Sequence, residues 1–281
     1  MKLIVILLCV LFLAGCTDQL RVEPENSLTF GNITKEKDVE ALVYGVGAGV
    51  RDMVCWNALL QVEKGAYADE ADESRRGARM LELEAGTADL WEAWYQVIMG
   101  AETVLSHVDV VEMPNERRQF YRGQAYFFKA LAYFDLIRRW GDCILQKGGI
   151  NWEPVAKTPW PKVCDFAIEM AEKAAEILPP FDKLTDCNGN TMFSKSTPCQ
   201  GAAYALLAHL CAWKAGGKYF AAEVDRNYDE KELWDMAEKA CTKVIESPLY
   251  DLVATPEEVC ASVLVGNSKE GVYETVMKDY Y

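Results

Sequence analysis

Residues that usually mark metal or nucleophile chemistry are scarce in this chain. It has two histidines, His107 and His209, and no Cys-x-x-Cys pair. A zinc site needs about four clustered nitrogen, sulfur or carboxylate ligands, so no metal or other cofactor is expected. Runs of lysine or arginine are also missing. The 29 basic residues face 43 acidic ones, a net charge of −14. That balance repels phosphate backbones and argues against a nucleic-acid partner. Beyond residue 15 no long apolar run occurs. The most aromatic stretch, "YFFKALAYFDLIRRWGD" from Tyr126 to Asp142, is broken by Lys129, Asp135, Arg138 and Arg139. A bilayer span needs about 20 mostly apolar residues. Strand-like alternation is nearly absent too, with only the closing "GVYETVMKDYY" a candidate strand. Apolar content is not lacking: hydrophobic residues make up 51% and eight residues are tryptophan. Such a chain can bury a large core and is not disordered.

The first residues carry their own signal. Met1 and Lys2 give a positive start, Leu3 to Gly15 an apolar run, and Leu13-Ala14-Gly15-Cys16 a small-residue ending. The run is too short to span a membrane as a helix and matches a secretory signal. Its Leu-Ala-Gly-Cys ending resembles the lipobox of bacterial lipoproteins, which implies that Cys16 becomes the acylated first residue. Each buried methylene of an acyl chain contributes about 0.8 kcal/mol, so several chains give firm membrane anchoring. The expected organisation is a signal peptide at 1–15, a lipidated tether at 16–33 and a folded region at 34–281.

Of the ten cysteines, Cys9 lies in the signal and Cys16 is the lipid candidate. The other eight could pair in on the order of a hundred ways, and spacing does not choose among them. Cys187 and Cys199 flank one polar loop and are the disulfide most worth testing. Cys211 and Cys241 fall inside apolar helical patterns, where a buried thiol acts as a small hydrophobe.

From Thr34 to about residue 250 the apolar positions recur at helical spacing. The first helix carries Val39, Leu42, Val43, Val46, Val50 and Val54, with Gly45, Gly47 and Gly49 among them. Each glycine costs about 1 kcal/mol of helix stability relative to alanine, which points to a kink or to close packing. Residues 64–87 are polar, charged and glycine-punctuated, a long loop of the kind that often carries function. Leu90, Trp94, Val97, Ile98, Ala101, Val104 and Leu105 then mark an amphipathic helix. The aromatic run forms a helix after Pro114 that ends at Trp140-Gly141-Asp142. It is apolar almost all round, so its rings are expected in the core. Another helix follows Pro159 and stops at Pro179-Pro180.

After a second polar loop at 181–196, Thr197-Pro198-Cys199-Gln200 reads as a capping box opening the next helix. "DCNGNT" at 186–191 lacks the glycine and the twelfth-position glutamate of a calcium loop and reads as a turn. A last clear helix spans about Lys231 to Ile245 and ends at Ser247-Pro248. Its Trp234, Ala237, Cys241, Val244 and Pro248 resemble the second helix of a tetratricopeptide-like unit. The fold class expected is all-α: antiparallel helix pairs with tetratricopeptide-like repeats, long irregular loops and little β.

Several segments together resemble the SusD/RagB family of bacterial surface nutrient-binding lipoproteins. "GQAYFFKALAYFDLIRRWGDCIL" from Gly123 to Leu145 follows that family's aromatic signature. "KTPWPKVCDFAIEMAEKAAEILP", "FSKSTPCQGAAYALLAHLCAW", "AEKACTKVIESPLYDL" and "EGVYETVMKDYY" continue in the family's order. Departures are Gln124 where glutamate is usual, Lys129 for arginine, Cys143 for proline and Gly47 for an aromatic residue. The likeness is to the N-terminal part of the family, whose members run to about twice this length.

The resemblance implies an outer-membrane, outward-facing lipoprotein that is not an enzyme. It would bind an oligosaccharide, or in some members a peptide, and pass it to a SusC-like TonB-dependent transporter. Sugars are held by aromatic faces together with carboxylates, amides and arginine. Tyr67, Asp69, Asp72, Arg75, Trp91 and Trp94 form such a set around the 64–87 loop. The plainer reading makes Trp94 a core residue and the charged cluster a solvated loop. Asp69 with Asp72, and Glu82 with Glu84, invite comparison with glycosidases, which set two carboxyls about 5 to 10 Å apart across a cleft with one pKa raised. The polar surroundings of these acids disfavour that. A helical-repeat scaffold binding a protein, or an extracytoplasmic α-helical carbohydrate enzyme, are the alternatives.

Overall fold

The computed structural model describes residues 31–65, 88–148, 153–263 and 266–275. From Thr34 onward the chain forms one unit. Among the described residues it is helical with no sheet. Its principal helices are α1 (Glu36–Gly65), α2 (Ala88–His107), α3 (Asn115–Trp140), α4 (Trp160–Ile177), α5 (Gln200–Gly216) and α6 (Glu230–Ile245). Each packs mainly on its neighbour in sequence, which gives the expected stack of antiparallel helix pairs. No described helix is long and apolar enough to cross a membrane.

Helix α3 is the spine. Phe120, Tyr121, Phe127, Phe128, Tyr133, Phe134, Leu136 and Ile137 are all buried, so the signature rings are core, as an all-round apolar pattern requires. Tyr126 and Trp140 are half-buried at its margins. Two glycines let neighbours come close. A Cβ on Gly100 of α2 would lie 2.9 Å from Val46 of α1, and one on Gly123 would lie 2.8 Å from Leu178. The glycines of α1 are not required in this way: a Cβ on Gly45 would meet nothing within 4 Å, and one on Gly49 would make an ordinary contact, 3.4 Å from Val97. Gly141 ends α3 with φ of 69°, a left-handed conformation favouring glycine, and its N–H bonds Ile137 O at 3.0 Å.

Buried polar groups on α3 are matched. Lys129 and Glu102, 3% and 7% exposed, form an ion pair, and the Lys129 ammonium sits 5.0 Å from the Phe166 ring centre. Asp135 accepts the Trp94 indole N–H at 2.7 Å and pairs with Arg138 at 2.9 Å and with Arg139. Arg117 donates to Glu36 at 2.7 Å and to the Tyr121 hydroxyl at 2.6 Å. Its Nη1 also donates to the Thr185 carbonyl at 2.8 Å, which ties the 184–192 turn to the core.

Four local expectations are corrected. The structure starts α5 at Gln200, two residues after the position implied by a Thr197 cap. Gln200 Nε2 donates instead to Ala175 O at 3.1 Å, and its backbone N–H to Pro179 O at 2.9 Å. Cys187 and Cys199 are both free thiols. The Cys199 thiol lies 3.3 Å from the Tyr250 hydroxyl, while Glu40 accepts from the Cys187 backbone N–H at 2.8 Å and faces its thiol, so the two side chains have different neighbours. Cys241 is exposed, because α6 buries only Leu233, Ala237 and Ala240. Residues 271–275 of the proposed closing strand form no strand, and the rest of that segment lies outside the described residues.

The "DCNGNT" turn is as expected. Asp186 Oδ1 accepts the backbone N–H groups of Asn188 at 2.9 Å and Asn190 at 2.8 Å, and Gly189 has φ of 80°. The Asn190 side-chain amide, donating to Asp186 Oδ2 at 2.9 Å, and then these backbone N–H groups hold the Asp186 carboxyl below its usual range.

Candidate functional site

Two places bear on binding. The first is where the sequence points. Tyr67, Asp69, Asp72 and Arg75 lie outside the described residues, so their arrangement is not part of the geometry. Trp91 is half-buried near the start of α2. Its ring meets Tyr95 at 5.2 Å and Trp140 edge-on at 5.4 Å, with the Lys157 ammonium 5.1 Å above it. Trp94 is corrected to a core residue: it is 4% exposed and its only polar atom is spent on Asp135. One helical turn thus separates a ring at the surface from a ring in the interior.

The second place was not anticipated. A cavity of about 260 Å³ opens between α1, α3, the residues preceding α5 and the segment around Tyr273. Its apolar lining includes Val43, Phe128 and the rings of Tyr44 and Tyr273; its polar lining includes Arg51, Gln124, Thr197 and Glu274. Gly47 contributes the space on the α1 side, where a Cβ would stand 3.5 Å from Phe128 Cζ. Burial, then the charges of Glu40 and Asp186, push the Tyr44 phenol above its usual range, so it stays a neutral donor.

The far wall is held by Lys195, which is 4% exposed. Its ammonium donates to the carbonyls of Ser268 and Gly271, its backbone N–H donates to Asn267 Oδ1 at 3.1 Å, and its carbonyl accepts from the Glu274 N–H at 3.1 Å. Burial pushes this ammonium below the usual lysine range, opposed by the Glu274 charge. Tyr273 packs on Phe127 at 5.0 Å between ring centres, so the segment is fastened at two points. No single stretch of sequence outlines this cavity, because its walls come from positions far apart along the chain. Among the described residues, no group of three or more His, Cys, Asp or Glu could hold a metal ion.

With this geometry in hand, the chain can be set beside known proteins. A family model, SusD-like_3, described as "Starch-binding associating with outer membrane", matches residues 61–211. SusD-like protein P2 of Formosa agariphila is 25% identical over 220 residues, covering 73% of this chain and 41% of that protein. A solved SusD-like protein from Bacteroides fragilis aligns with a TM-score of 0.63 at 19% identity, over 88% of this chain and 46% of the other. A solved SusD-like carbohydrate binding protein from Bacteroides vulgatus aligns with a TM-score of 0.63 at 17% identity, over 85% of this chain and 50% of the other. The chain spans half or less of the length of each of these relatives.

Proposed function

We propose, from the premise that this chain belongs to the SusD-like family, that it captures an oligosaccharide at the outer membrane and delivers it to a SusC-like TonB-dependent transporter. The observation that carries this reading is the family match over 61–211, whose description joins starch binding to the outer membrane. That stretch includes Tyr67, Asp69, Asp72, Arg75 and Trp91, which remain the proposed surface for the glycan, with Trp94 now assigned to the core. Trp91 is half-buried, and its neighbours Tyr95, Trp140 and Lys157 fix the orientation of its ring.

Cys16, carrying acyl chains, would hold the protein on the membrane and facing outward. The protein acts by binding and release; no step of bond cleavage belongs to this reading. The test is electrophoresis of the purified chain through native gels containing starch-type, β-glucan or pectin-type polysaccharides, with the same samples analysed for shortened products. Retardation in one gel without products is the expected result, and Trp91→Ala should reduce it. Products released would move the protein to the enzyme class, and unretarded migration in every gel would remove the glycan reading.

One observation favours a protein-contact role beside it. Tyr219, Phe220 and Val224 are 76%, 83% and 85% exposed in the connection between α5 and α6. Neighbouring large apolar side chains in water commonly mark a contact surface. Capture of a protein partner with no glycan retardation would make the helical-repeat scaffold the better description.

A further inference from the structure

The cavity between α1 and α3 has unmet hydrogen-bonding capacity. Gln124 is 3% exposed, lines the cavity and has no hydrogen-bond partner among the described residues. Thr197 is 6% exposed and also lines it. Its backbone N–H reaches Ser194 O at 3.4 Å, but its hydroxyl has no partner among the described residues. Arg51 Nε and Glu274 Oε1, on residues of the same lining, are buried without a hydrogen bond, although Arg51 Nε stands 3.6 Å from the Asp52 carboxylate. More than about 90% of buried polar groups in folded proteins are partnered. The Gln124 amide and the Thr197 hydroxyl, open to the cavity, and the two buried atoms give this opening hydrogen-bonding capacity that the described residues do not use.

We propose that this cavity is a ligand site for a single neutral sugar residue, separate from the surface around Trp91. The ligand class rests on the glycan-binding reading above; the location does not. Arg51 and Glu274 put one charge of each sign on the lining, so neither an anion nor a cation is favoured over a neutral ligand. A hydroxyl donates one hydrogen bond and accepts two, and the Gln124 amide both donates and accepts. Adjacent sugar hydroxyls can therefore meet Gln124 and Thr197 together. Phe128, Tyr44 and Tyr273 supply the apolar surface that a sugar ring's C–H face covers. Pockets for drug-sized ligands run from about 300 to 1,000 Å³. At about 260 Å³ this one is suited to one ring and not to a chain of them.

The test is calorimetric titration of the full chain with glucose, galactose and a neutral gluco-oligosaccharide, beside glucuronate and a dipeptide. Gln124→Met and Thr197→Val each remove one polar partner and should weaken neutral-sugar binding about tenfold, the size of one good hydrogen bond. Ala48→Leu fills the cavity without touching a polar group and should abolish this binding. It also keeps the test decisive if a polar variant fails to fold, and each variant's melting temperature is compared with the parent's. Sugar binding that survives all three variants overturns the cavity site and leaves the surface reading in place. If the unmodified chain binds none of the sugars at millimolar concentration, the cavity site falls, while the surface reading is decided by the gel test. Tighter binding of glucuronate or the dipeptide, sensitive to the same variants, overturns the neutral-sugar assignment.

Discussion

Two polar regions on α3, a few turns apart, are built to opposite specifications. Around Lys129 and Asp135 every buried charge meets its complement: Glu102 for the lysine, and Trp94, Arg138 and Arg139 for the aspartate. Around Gln124 the amide and the Thr197 hydroxyl make no side-chain hydrogen bond among the described residues, and Arg51 Nε and Glu274 Oε1 are buried without one. The same helix therefore carries polar residues that specify its packing and polar residues that its packing does not use. Removing a group of the first kind should harm stability; removing one of the second kind should harm only binding.

The largest effect expected is at Lys129. Lys129→Met leaves the Glu102 carboxylate buried without its cation, and breaking a buried pair from one side costs about 3–5 kcal/mol. Lys129→Met with Glu102→Leu should recover most of that loss, since two apolar residues of similar volume leave no uncompensated charge. Urea denaturation of the three variants checks both statements. A single variant as stable as the parent would show that the two regions do not differ in this way.

Asp135→Asn comes next. It keeps an acceptor for the Trp94 indole but removes the charge facing Arg138 and Arg139, and hydrogen bonds to charged groups are worth about 1.5–3 kcal/mol. Arg138 is 42% exposed on its side chain, so water screens its share. The loss should fall near the lower end of that range. Tryptophan fluorescence would also shift if the Trp94 bond to Asp135 were disturbed.

A pH series sharpens the comparison from the side of buried thiols. Burial pushes Cys143 and Cys211 from the ordinary 9.0 up to about 12. Above pH 9.0 the unfolded chain loses these protons while the native state keeps them, so the native state binds more protons and stability falls as pH rises toward 12. The melting temperature should hold steady up to about pH 8.5 and then decline. Cys143→Ala with Cys211→Ala should flatten the first part of that decline. Exposed Cys241 and Cys260 should react with a thiol reagent at neutral pH, while buried Cys164 and Cys211 stay protected.

Most of the helical stack was legible because burial imposes a three-and-four spacing that survives any detail of packing. Val163, Ala167, Met170, Ala171 and Ala174 announce α4 without help from another element, and all are buried. Tertiary contacts decided what the pattern could not. Gln200 fits a capping box by spacing, yet Ala175 and Pro179 offered its amide and N–H better-placed acceptors. Cys241 sits in an apolar rhythm that α6 only half uses. At the candidate sites, Trp94 and Trp91 show that helical phase separates core from surface within one turn. The cavity left two traces in the sequence: Gly47 and Gln124 depart from the family pattern, one by absence of a ring and one by absence of charge. That both line the same opening depends on how α1 crosses α3, which no local window of sequence contains.

The smallest effect on stability is expected at Gln124, and it separates the two regions most sharply. Its amide makes no hydrogen bond that folding could lose, and methionine matches its length and volume. Gln124→Met should leave stability within about 0.5 kcal/mol of the parent, because the amide makes no hydrogen bond to the described residues that the substitution would break. Thermal unfolding with and without neutral sugar makes the distinction. The parent should gain stability when sugar is added, by an amount that grows with the logarithm of its concentration. The variant should start as stable and gain little. If Gln124→Met instead costs 2 kcal/mol or more in the absence of sugar, on the order of a lost buried hydrogen bond, the amide belongs with Lys129 and Asp135 among the groups that hold the helix in place.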